Sequence, residues 1–163
     1  MRQSKFKKSS IALIASALAL TLTGCGAGPN AETRLIKRVT DGNEVILKEN
    51  GANISVANLL LVALEDGSAV VVGTFVNYSE DNDSLVGLSV NGIPAVITGE
   101  TMMKQNAPLR FEGDSATTKG VFNSVAAKAG VNIPLTLSFE RAGDVTTNVI
   151  VRDQRDDYRN VTK

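Results

Sequence analysis

The clearest pattern in the chain is a strict alternation from Val131 to Glu140. Val131, Ile133, Leu135, Leu137 and Phe139 share one parity, and Asn132, Pro134, Thr136, Ser138 and Glu140 share the other. Side chains alternate faces along a strand, so this spacing predicts a half-buried β-strand. Pro134 has no N–H to give a ladder, which assigns it to an edge or an unpaired position. Arg141-Ala142-Gly143-Asp144 then turns the chain into Val145 to Val151, with Val145, Thr147, Val149 and Val151 on one face.

Similar patterns run upstream. Ile54 to Leu64 is rich in branched residues, but Ile54 and Val56 alternate on one parity and Leu59, Leu61 and Ala63 on the other. That phase change predicts a bulge near Asn58 or burial on both faces. Glu65-Asp66-Gly67-Ser68 joins this run to Ala69 to Tyr78, a hairpin signal. After the polar loop Ser79 to Ser84, Leu85 to Val90 reads as a strand with Val86, Leu88 and Val90 on one face. Asn91-Gly92 turns it into Ile93 to Thr98. Residues 99–119 read as loop around a short strand at Leu109 to Phe111, and Val121 to Ala129 as one turn of helix or an irregular strand. Glu44 to Leu47 is strand-like, and the chain from Arg152 onward is polar and reads as a solvated tail. About seven short strands with turns between them predict an all-β fold, an immunoglobulin- or cupredoxin-like antiparallel β-sandwich.

The N-terminus follows a different logic. Arg2, Lys5, Lys7 and Lys8 precede Ile11 to Leu22, an uncharged run of 12 residues. This is a signal-peptide h-region, well short of the ~20 residues that span a bilayer. Leu22-Thr23-Gly24-Cys25 ends the run and resembles the bacterial lipobox. That resemblance implies cleavage before Cys25 and a diacylglyceryl group on its sulfur. Two acyl chains anchor stably where one is marginal, at ~0.8 kcal/mol per buried methylene. Cys25 is the only cysteine, so it has no internal disulfide partner. The expected organisation is a lipoprotein signal peptide at residues 1–24, a lipidated tether at 25–50, the sandwich at 51–152 and a polar tail at 153–163. The protein is expected on the extracytoplasmic face of the cell membrane, held by its lipid.

Composition narrows the chemistry. The chain has 17 Lys+Arg and 17 Asp+Glu, and the signal segment takes four cations and no acid. The remaining 139 residues therefore carry four more acids than cations, which argues against nucleic acid as a partner. No histidine is present, which removes the commonest general base and the commonest metal ligand. The Ser79 to Ser84 loop has oxygen ligands but lacks the glycine and distant glutamate of a calcium loop. Ser124 and Lys128 do not have the spacing of a Ser-Lys nucleophile pair. An enzyme is not expected.

Leu135 to Gly143 followed by a Val-rich strand resembles the final hairpin of the PCu(A)C copper-chaperone family. Phe75-Val76-Asn77, the acidic loop and Asp83-Ser84-Leu85-Val86 resemble that family's "N…D-x-L-V" segment. From Cys25-Gly26-Ala27-Gly28 onward the arrangement resembles actinobacterial LpqE-type lipoproteins. The resemblance covers roughly Asn53 to Val151 and implies a cupredoxin-like sandwich. In the family it implies Cu(I) held by two His and two Met. Here the histidines are missing, and Val121 to Ala127, where the family's His-x-Met would fall, has neither residue. Met102 and Met103 lie roughly where the family places one Met, and thioethers suit soft Cu(I). Adjacent strand residues face opposite ways, however, so loop or rim packing is the stronger reading of the pair. The expectation is a non-catalytic binding domain without a cofactor, whose partner is an envelope protein or cell-wall component. The alternative is a divergent copper chaperone using Met102 and Met103.

Overall fold

A computed structural model describes residues 40–163. The lipobox, Leu22 to Cys25, lies outside them. Among the described residues the chain forms eleven strands and one 3-10 turn: β1 (Asn43–Leu47), β2 (Ile54–Ala63), β3 (Ala69–Asn77), β4 (Asp83–Val90), β5 (Ile93–Pro94), β6 (Val96–Gly99), β7 (Met102–Met103), β8 (Leu109–Arg110), β9 (Thr118–Phe122), β10 (Asn132–Phe139), β11 (Gly143–Asp153) and the turn Asp156–Tyr158.

The strands run in the order β5-β4-β10-β11-β2-β3-β9-β6, with β1 also on β2, β7 on β4 and β8 on β3. The join is β11, which pairs antiparallel with β10 from Gly143 to Ile150 and parallel with β2 at Val151 to Asp153. The expected sandwich is therefore present, though its pairing is not wholly antiparallel. The additional strands arise because Ile93 to Thr98 divides. Ile93-Pro94 pairs with β4 and Val96–Gly99 with β9. Short pairings also organise the region expected as loop.

Bulges set the packing. Asn58 has φ +54°, and the β2–β3 register slips between Ala57 and Leu60. Before the slip Ile54 and Val56 face inward. After it Leu59 and Leu61 face inward, while Leu60 and Val62 face outward, and all six are fully buried. Both expectations for this strand, a bulge and two-sided burial, hold. Gly42 sits against the bulge and its N–H donates to Asn58 Oδ1 at 2.9 Å. A Cβ on Gly42 would lie 2.4 Å from the Asn58 carbonyl carbon, so a side chain is excluded there.

A second slip corrects the reading of β4. Phe139 pairs with Leu85 and Ser138 with Gly87, leaving Val86 as the extra residue. Val86 is 60% exposed and Leu85 takes the buried place beside Leu88 and Val90. In β10, pairing with β4 begins at Leu135, so Pro134 has a partner on the β11 side alone, as its missing N–H requires.

The inner core joins the layers. Phe75 on β3 stacks tilted on Phe111 at 4.9 Å and on Phe139 of β10 at 6.4 Å. Gly120 of β9 leaves room for Leu88 and Val71, each 3.1 Å from where its Cβ would stand. A second apolar cluster lies on the outside of β2, β3 and β9: Leu60, Val62, Val70, Val72 and Val121, covered by Val161. The solvated-tail expectation fails there, since Val161 is only 5% exposed. An outer sheet face this apolar needs a cover, and the tail supplies it.

Candidate functional site at the motif end of the sandwich

The segments that carry the family resemblance meet at one end of the sandwich. Asp83, the first residue of β4, is 4% exposed. Its Oδ1 accepts from the backbone N–H groups of Ser84 at 2.7 Å and Arg141 at 3.0 Å. Its Oδ2 accepts from the Ala142 N–H at 3.0 Å. The β10–β11 turn is thus fastened to the start of β4 by one carboxylate. Arg141 turns back over it, donating to Asn82 O at 3.1 Å and pairing with Asp81 at 2.9 Å.

Asn77 organises the neighbouring loop. Its side-chain amide donates to Asp81 O at 2.8 Å and Met103 O at 2.9 Å, while Oδ1 accepts from the Ser79 N–H at 2.9 Å. The Ser79 to Ser84 loop is therefore shaped by Asn77 from within and Arg141 from outside. The signal for these roles was in the sequence as motif residues, but spacing alone did not show that both motifs bind backbone.

The two methionines do not converge. Ser84 pairs with Met102 and Asp83 with Met103, and alternation sends their side chains to opposite faces. Met103 is fully buried in the inner core, whereas Met102 is 53% exposed. Met102 lines a shallow cavity of about 350 Å³ with Glu100, Thr101, Lys104, Ala107 and Leu109. No group of three or more His, Cys, Asp or Glu residues among the described residues is arranged to hold a metal. The residues present do not fit a site of two histidines and two methionines: the chain has no histidine, and one thioether of the pair is sealed in the core. Ser124 and Lys128 are both exposed in irregular chain.

A polar cluster that the sequence did not suggest lies by the last strand. Asp41 receives Arg152 at 3.2 Å and the Tyr158 hydroxyl at 3.1 Å. Burial, with the Asp41 carboxylate beside it, pushes the Tyr158 hydroxyl up to about 12. Nearby, burial raises the Glu112 carboxyl, whose Oε1 has no hydrogen-bond partner. Asp66 is held well below the usual carboxylate range by hydrogen bonds from Lys163 and Ser68.

No family model matches the chain, and no curated protein does. Solved structures are similar to it. The apo PCuAC domain from PmoF1 superposes with a TM-score of 0.57 at 20% identity, over 68% of this chain and 99% of that one. The copper-bound PCuAC domain from PmoF2 gives 0.55 at 20% identity, over 68% and 98%. The apo PmoF2 PCuAC domain gives 0.56 at 17% identity, over 70% and 98%. At these identities the likeness is one of fold: the chain has the all-β, cupredoxin-like fold of PCuAC domains.

Proposed function

We propose that this protein is a lipid-anchored envelope lipoprotein whose sandwich is a non-catalytic binding domain. Its partner is another envelope protein or a cell-wall component. The observation that carries the binding-domain reading is the use of the motif residues. Asn77 and Asp83 direct their side chains at backbone groups of their own and neighbouring segments, leaving no nucleophile–base pair and no convergent ligand set there. The anchor rests on the basic start, the short apolar run and Leu22-Thr23-Gly24-Cys25. Membership of the LpqE-type lipoproteins belongs to the same proposal.

The anchor is tested by intact mass of the mature N-terminus. An acylated Cys25 supports it; an intact Met1 or unmodified Cys25 contradicts it. The binding role is tested by crosslinking in membranes that carry the lipidated protein. A single envelope component captured stoichiometrically supports it, and capture that does not exceed an unrelated lipoprotein contradicts it.

A copper-handling role is the second reading, favoured by the fold shared with a copper-bound PCuAC domain. Met102 is the thioether this chain could offer from the surface. Copper K-edge absorption of the Cu(I)-treated protein tests it: a sulfur ligand abolished by Met102→Ala supports it, and a spectrum unchanged by that variant contradicts it.

A further inference from the structure

Antiparallel sheets in sandwiches commonly bury one face and leave the other to water. Here part of the outer face of β2, β3 and β9 is apolar as well, at Leu60, Val62, Val70, Val72 and Val121. Leu60 pairs with Val72, Val62 with Val70, and Val70 with Val121, so the outer stripe runs in register across three strands. Its cover is the segment after β11. Val161 plugs the stripe and Tyr158 packs at its edge. The segment contributes no strand to the sheet. Its side-chain ties are single contacts: Lys119 Nζ donates to Thr162 O at 2.6 Å, Lys163 pairs with Asp66, the Tyr158 hydroxyl donates to Asp41 at 3.1 Å, and Gln154 Nε2 folds the segment on itself by donating to Val161 O at 2.7 Å. The Lys163–Asp66 pair is about half exposed on both sides, where ion pairs hold weakly. A five-residue apolar stripe is thus closed by the buried Val161, the part-buried Tyr158 and a few exposed contacts.

We propose that this outer face is the binding surface of the domain and that residues 154–163 occupy it as a ligand in cis. It rests on the binding-domain reading above. The contacts define the partner: an extended peptide with an apolar side chain two positions ahead of a cation, as in Val161-Thr162-Lys163. The apolar side chain fills the place of Val161 over the stripe, the cation meets Asp66, and Lys119 takes a peptide carbonyl. A segment already in place lowers the apparent affinity for an incoming peptide by the fraction of molecules that are open.

The probe is a fluorescein-labelled decapeptide with the sequence of residues 154–163, followed by anisotropy against the full chain. Val161→Ser should bind it at least about tenfold more tightly than the unaltered protein, because the cis segment no longer competes. A peptide with Asp in place of its valine should not bind. Lys163→Glu, which keeps the core intact, should also tighten binding, by a smaller factor. The proposal is overturned if both variants keep native near-ultraviolet circular dichroism yet bind no better than the unaltered protein. It is also overturned if the unaltered protein forms a concentration-dependent dimer that Val161→Ser abolishes, since the segment would then serve exchange between copies. An envelope partner crosslinked to a different face, with no peptide binding, overturns this surface and leaves the binding-domain reading standing.

Discussion

At the motif end, one buried carboxylate accepts three backbone N–H bonds between 2.7 and 3.0 Å, and Asn77 makes three more contacts to neighbouring loops. On the outer face of β2 and β3, an apolar stripe is closed by Val161 and a few half-exposed contacts. The first region is over-determined. Its polar groups are committed to the chain itself, which fixes the loops and leaves little to offer a ligand. The second region is under-determined. Its stripe is apolar and buried, but what closes it is held by side chains at the rim. A motif residue can thus mark the rigid part of a fold, while the adaptable part carries no motif.

The largest expected effect lies at the motif end. Asp83→Ala leaves three backbone N–H groups without their acceptor. The Ala142 bond is buried and the other two are part-buried, so at about 1–3 kcal/mol for a buried unsatisfied group and less where water can reach, the loss should be roughly 2–4 kcal/mol in denaturant unfolding. A loss below about 1 kcal/mol would mean that the turn does not depend on Asp83. Val161→Ala should cost less, about 1–2 kcal/mol, because one methyl group still covers the stripe. Hydrogen exchange in this variant should quicken at the backbone N–H of the substituted position, which donates to Tyr158 O, and leave β10 unchanged; equal change in both would erase the contrast. Arg141→Ala should cost at most about 1 kcal/mol, since its pair with Asp81 is exposed. A larger loss would place Arg141 with Asp83 as a structural element.

The smallest effect is one of pH. The Tyr158 hydroxyl is raised from 10.0 to about 12, so the folded state holds its proton longer than the unfolded chain. Its contribution is fully present below pH 10 and is lost as pH rises through about 12. Ultraviolet titration should show one tyrosine ionising near the upper value, and Asp41→Asn should bring that titration down. A titration unaffected by Asp41→Asn would contradict the cluster's geometry.

Much of the fold was legible because period two and turn chemistry are local. The β10–β11 hairpin, the Asn91-Gly92 turn and the phase change at Asn58 all follow from neighbouring residues. Asn91 and Gly92 both take positive φ, as a tight hairpin turn demands. Val86 was misread because its bulge depends on the register with β10, which no local pattern contains. The tail was misread for a related reason. Leu59 to Val62 and Val70 to Val72 signal two-sided burial, but nothing near Val161 says that it is the cover. The methionine pair was legible as far as alternation goes. That Met103 faces the inner core and Met102 the surface required the pairing of β7 with β4. Asn77 and Asp83 were visible as motif residues, yet their partners lie in loops brought together by the fold.

Titration of the mature, detergent-solubilised protein with Cu(I) against a competing chelator tests most directly whether this domain binds without a metal. The account predicts no stoichiometric copper retained, and no difference between the unaltered protein and Met102→Ala. A tight one-to-one complex lost in Met102→Ala, with the fold intact by circular dichroism, would contradict it.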